Sequence, residues 1–93
     1  MKVYEIMTIT KNEIGEEGSR NLSNTVKDLI SQYKGKVLDS NFWGKRKFAY
    51  KINHDTEGYY DVINFEMAAE NMPKLESKLN FIDGLIRYLV TAD

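Results

Sequence analysis

The chain has no cysteine, which excludes disulfides, thiolate metal sites and a cysteine nucleophile. It has a single histidine, His54, in the polar run Asn53-His54-Asp55-Thr56-Glu57-Gly58. A metal site needs further convergent ligands, and an acid–base histidine needs an orienting partner, so His54 reads as an exposed turn residue. No apolar run approaches the roughly 20 residues of a membrane span. The opening residues read as a strand, not as a charged head followed by an apolar signal core. Phosphate loops, G-x-G-x-x-G and G-x-S-x-G are all missing. Asp55 and Glu57 share the polar run, whereas paired-carboxylate hydrolysis needs two carboxyls facing one cleft. A cytoplasmic, non-catalytic protein with no metal, cofactor or small-molecule substrate is the expectation.

What is there is segregated charge. The total is −1, yet residues 34–51 hold six cations against one anion, while residues 52–93 hold three against eight. Such segregation creates local fields that steer partners. A free-standing nucleic-acid binder is usually basic overall, so any nucleic-acid contact here is expected to be local and shared with another molecule. Ninety-three residues suit one domain, expected to span 1–93 without tail or linker.

Val3 to Ile9 reads as a central strand covered on both faces, since large apolar residues fall on both parities. Leu22, Val26, Leu29, Ile30 and Tyr33 form one helical stripe, and Gly35 is positioned to end that helix in a left-handed conformation. Lys36 to Asn53 reads as a long extended segment bent or bulged at Gly44. A turn then leads to a strand over Tyr59 to Met67. Pro73 lies just inside a second helix whose buried face carries Met72, Leu75 and Leu79, and Leu85 to Thr91 is the last strand. The order β-α-β-β-α-β predicts an α+β, ferredoxin-like split β-α-β fold. Its four-stranded antiparallel sheet would carry two helices on one face, with the second and fourth strands at the edges.

The stretch Phe42 to Tyr60 packs four cations and six aromatic rings into nineteen positions. Cations bind phosphate and carboxylate, and rings stack on bases or bury in a partner. Lys45, Arg46 and Lys47 on an edge strand also discourage edge-to-edge aggregation, which is compatible with binding. Two families of this topology fit poorly. The RNA-recognition motif wants a basic residue, glycine and alternating aromatics on its third strand, and Asp61 in Gly58-Tyr59-Tyr60-Asp61-Val62-Ile63 sets a negative charge where an anion should lie. Acylphosphatases carry a glycine-rich, arginine-containing cradle after the first strand, where this chain has Thr10-Lys11-Asn12-Glu13.

The run Trp43-Gly44-Lys45-Arg46-Lys47-Phe48-Ala49-Tyr50-Lys51-Ile52, followed by Gly58-Tyr59-Tyr60, resembles the signature of the bacterial small-subunit ribosomal protein six family. Val3-Tyr4-Glu5-Ile6 resembles that family's start, and Ile86-Arg87-Tyr88-Leu89-Val90 its last strand. The resemblance implies a structural component of the small ribosomal subunit that binds 16S ribosomal RNA together with small-subunit ribosomal protein eighteen. It further implies a cytoplasmic place in the ribosome, no cofactor, and a monomer when free.

Carried over residue by residue, the resemblance assigns RNA contact to Lys2, Tyr4 and Arg87, with the loop around Asn80 to Asp83 nearby. It assigns the protein partner to Phe42, Trp43, Lys45, Arg46 and Lys47. Lys2 stands where the family commonly has arginine, so a bidentate clamp becomes a point charge. The neighbouring first and last strands would bring Lys2 and Arg87 into one phosphate site. The alternative reading is a stand-alone ferredoxin-like module that dimerises through its edge strand and binds a small ligand.

Overall fold

Four strands and two helices appear in the expected order in a computed structural model that describes residues 1–52 and 55–92, backbone only at 48–52 and 55. The elements are β1 (Lys2–Lys11), α1 (Gly15–Gln32), β2 (Lys36–Ile52), β3 (Asp55–Met67), α2 (Met72–Leu79) and β4 (Leu85–Ala92). Short 3-10 turns lead into both helices. The sheet is antiparallel with strand order β2-β3-β1-β4, so β2 and β4 are its edges. Residues 55–58 of the turn expected over 53–58 belong to a strand instead. β3 begins at Asp55 because the ladder continues through Lys47↔Glu57 and Arg46↔Gly58. Asn53 and His54 lie outside the described residues.

The helical stripe of α1 buries Leu22, Val26 and Ile30, with Leu29 and Tyr33 half-buried beside them. Met72, Leu75 and Leu79 of α2 join the same core. Beneath the helices lie Tyr4, Ile6, Ile63, Phe65 and Met67 from the two central strands. Among the described residues no helix covers the other face of the sheet, which corrects the expectation for β1. There Ile9 and Val62 are buried by neighbouring side chains, while Val3 and Met7 stay half-buried.

The end of α1 is a second correction. Lys34, not Gly35, takes the left-handed conformation, at φ 63°. Its N–H donates to the Ser31 carbonyl at 3.0 Å, and the Gly35 N–H donates to the Ile30 carbonyl at 2.8 Å, the two bonds of a Schellman cap. Gly35 is required for room instead. A Cβ there would stand 2.8 Å from both Ile30 Cγ2 and Met67 Cε.

Candidate nucleic-acid and partner interface

Edge strand β2 departs from regular pairing where its bulges fall. Between Val37↔Phe65 and Asp39↔Asn64 one residue, Leu38, has no partner across the ladder. Between Phe42↔Asp61 and Gly44↔Tyr60 the unopposed residue is Trp43. A bulge pushes its extra residue outward, and these two are exposed apolar side chains, Leu38 at 48% and Trp43 at 41%. Gly44 follows the second bulge at φ 84°, a conformation that L side chains rarely adopt, so the expected kink at Gly44 is present.

The bulge also decides which face each cation serves. Phe42 stacks on Tyr59 at 6.3 Å on the helix side, and the Arg20 guanidinium of α1 lies 4.3 Å over the Phe42 ring. Lys45 and Lys47 share that parity, and Lys45 pairs with Glu57 at 3.6 Å. Trp43 instead stacks on Tyr60, with ring centroids 6.2 Å apart and planes 9° from parallel, on the open face. Arg46, opposite Gly58, belongs to the open face too. The partner set assigned from the sequence is therefore divided between two surfaces. On the helix side, Arg20, Ser23, Asn24, Lys27, Ser40 and Phe42 line a cavity of about 320 Å³ between α1 and β2.

The three residues assigned to RNA do not converge. Tyr4 is only 8% exposed and stacks on Phe65 in the core at 5.6 Å, so its ring is withdrawn from any RNA-facing set. Lys2 is exposed and pairs with Met67 at one end of β1, while Arg87 pairs with Ile9 near the other. Seven residue steps separate those positions, about 23 Å along a strand. Adjacent strands do not by themselves bring cations together, and a shared phosphate site for Lys2 and Arg87 is ruled out. Arg87 also borders a cavity of about 410 Å³ with Leu79, Asn80, Leu85, Ile86 and Tyr88. There the Tyr88 hydroxyl donates to Asn80 Oδ1 at 3.0 Å. Partial burial, with the Glu76 carboxylate a second cause, raises the Tyr88 phenol above its ordinary value and keeps it a donor.

Asp61 overturns another expectation. It points toward the helices and is 3% exposed, so it sets no charge on the open face of β3. Ser23 Oγ of α1 donates to Asp61 Oδ2, and Thr10 and Ser19 bond each other at 2.7 Å nearby, forming a polar seam beneath α1. Among the described residues, Oδ1 of Asp61 has no hydrogen-bond partner. The open face of β3 presents Tyr60, Val62, Asn64 and Glu66 instead.

Sequence reasoning did not single out Arg20, which lies over Phe42, or Tyr60, which stacks on Trp43. Tyr60 was detectable, since the Gly58-Tyr59-Tyr60 run must put one ring on each face. Among the described residues no cluster of three potential metal ligands occurs.

Residues 3–92 match the family model described as Ribosomal protein S6. The small ribosomal subunit protein bS6 of Dictyoglomus turgidum is 36% identical over 91 residues, which is 98% of this chain and 94% of that one. Its counterpart from Carboxydothermus hydrogenoformans is 37% identical over 90 residues, 97% and 94% of the two chains. The crystal structure of 30S ribosomal protein S6 from Thermotoga maritima is 34% identical with a TM-score of 0.93, over 99% of this chain and 87% of that one. The C-terminal domain of the MgtC protein from Mycobacterium tuberculosis gives a TM-score of 0.64 at 9% identity and shares the fold alone.

Proposed function

The chain belongs to the ribosomal protein S6 family, and from that premise we propose that it binds 16S ribosomal RNA together with small-subunit ribosomal protein eighteen. As a bacterial small-subunit protein it acts in the cytoplasm, within the ribosome. The role is structural. The chain works as one domain over 1–93 and is a monomer until its partners arrive.

The observation that carries this reading is edge strand β2. It has a neighbour on one side only, so its outer backbone groups are available to another chain. Its cations flank that edge on both faces, with Lys45 and Lys47 toward the helices and Arg46 toward the open side. The protein partner takes the helix-side groove, where Phe42 lies under Arg20 and the cavity is walled by Lys27 and Ser40. RNA takes the open-face end of the sheet with Arg87, and Lys2 supplies a separate phosphate contact. A net charge of −1 suits a protein that holds RNA in company rather than alone.

Co-sedimentation with small ribosomal subunits through a high-salt wash is the first test. Titration with protein eighteen is the second, in which charge reversal of Lys45 and Lys47 lowers affinity for that protein. Recovery only as a free homodimer, with no subunit association, overturns the reading.

A further inference from the structure

The end of α1 and the start of α2 meet in a saddle on the helical layer. Asn71, just before α2, donates its side-chain amide to the Tyr33 carbonyl at 3.0 Å and ties the two together. Two cavities lie at that tie, of about 400 and 290 Å³, and Tyr33 and Lys74 border both. Tyr33 is half-buried against the core, and Pro73 lines the larger cavity with it. Around this apolar floor stand Lys34, Lys74 and Lys78, all exposed, and Glu70 is the one carboxylate lining either cavity. Among the described residues none of these three lysines makes an ion pair.

Two of these lysines lower the stability of the free chain. Lys34 holds the left-handed conformation at φ 63°, a strain of the kind found where a residue has a use. Lys74 stands in the first turn of α2, where the helix dipole disfavours a cation, and one turn from the like charge of Lys78. An anion on the saddle relieves that repulsion. We propose that the saddle docks an acidic protein segment. An aliphatic side chain of that segment sits between Tyr33 and Pro73, and its carboxylates lie on Lys34, Lys74 and Lys78. A proline floor has no π face on which a base could stack, yet it packs against an aliphatic group, which favours peptide over RNA. The saddle shares no residue with the groove beside β2 or with the Lys2 and Arg87 contacts, so this partner is additional to those above.

The probe is a capped peptide of sequence Glu-Glu-Leu-Glu-Glu, titrated into the isotope-labelled full chain at low salt and followed by NMR. The amide signals of Tyr33, Lys34, Lys74 and Lys78 shift, and added salt weakens the binding because exposed charges are screened. Replacing the central leucine by glycine weakens it as well, since the apolar floor is then left unfilled. Lys74→Gln and Lys78→Gln each weaken binding roughly threefold, the scale of one exposed ion pair. Lys34→Gly does the same although it relieves backbone strain, so loss of fold cannot account for its effect.

No shift at these amides with millimolar peptide, equal shifts from a peptide with lysine in place of glutamate, or unchanged affinity in the three lysine variants overturns the proposal. Equal binding of the glycine-centred peptide overturns it too, because the cations would then act without the floor. If oligouridine displaces the peptide at lower concentration than the peptide itself binds, the saddle belongs to RNA. If the same amides shift with chain concentration in the absence of peptide, it belongs to a second copy of the chain. Either result also overturns the assignment to an acidic segment.

Discussion

The two faces of one sheet obey different rules in this protein. On the helix side, Ile6, Ile63, Phe65 and Met67 are fully buried beneath α1 and α2, and even the polar groups Thr8, Thr10, Ser19, Ser23 and Asp61 are excluded from water. Space and hydrogen-bond satisfaction decide which residue fits there. On the open side, Leu89 is 61% exposed and Trp43 protrudes from a bulge, while Arg46 and Lys11 stand on either side of Gly58 in the ladder and Lys36 stands opposite Glu66. Backbone conformation and charge decide there, and little packing is at stake. A partner-binding protein needs both, because the rigid face holds the adaptable one in register.

The sharpest contrast is between apolar truncations on the two sides. Ile63→Ala removes a fully buried side chain facing Ile6 in the ladder and should destabilise by about 2–5 kcal/mol. Leu89→Ala on the open face should stay within about 0.5 kcal/mol. Urea denaturation of both variants checks the pair. Comparable losses would mean that the open face is as tightly packed as the core, and the division of labour would fail.

The polar seam gives the next largest effect. Ser23→Ala removes the one hydrogen bond to the Asp61 carboxyl group found among the described residues and leaves it buried with no partner there on either oxygen. That should cost about 1–3 kcal/mol. The accompanying Asp61→Asn variant closes a double-mutant cycle, whose coupling term isolates the pair from local repacking. A coupling near zero would show that the helix side tolerates unsatisfied polar groups as the open face does.

Much of this division was legible in the sequence, and the part that was not has a physical cause. The element order, the stripe from Leu22 to Tyr33 and the kink at Gly44 follow from periodicity and from the special freedom of glycine. The facing of Phe42 and Trp43 on β2 does not, because one extra residue in a bulge reverses the parity of everything beyond it. Simple alternation would set Phe42 and Trp43 on opposite faces but cannot say which face is which. Asp61 misled because a charged residue on a strand reads as solvent-facing, whereas Ser23 from α1 gives it a partner under the helix. Lys2 and Arg87 were brought together by strand adjacency alone, and only the register separates them.

Gly44 tests the conformational rule on the open side. A Cβ there meets nothing within 4 Å, so Gly44→Ala has room and suffers only from φ 84°. The expected loss is about 1–2 kcal/mol from left-handed strain, and Gly44→Val should lose more because a β-branched side chain tolerates positive φ least. Thermal denaturation of the two variants checks both values. An unchanged midpoint in Gly44→Ala would mean that the bulge can relax, and that edge strand β2 is not held in one conformation.

The smallest effect lies where the two rules meet in consecutive residues. Lys34 is exposed and strained at φ 63°, whereas Gly35 has an ordinary backbone but no space for a side chain. Lys34→Gly should therefore raise stability by about 0.5–1 kcal/mol, since glycine fits the left-handed position of a Schellman cap without a Cβ penalty. Lys34→Ala keeps that penalty and should change little, which separates backbone strain from loss of the lysine charge. Gly35→Ala must go the other way, because its Cβ would press on Ile30 and Met67 of the core. Opposite signs from adjacent residues, read in one set of urea titrations, would show the boundary between the two rules to be a single peptide wide. If Lys34→Gly and Gly35→Ala both destabilised, the cap would be governed by packing at both positions.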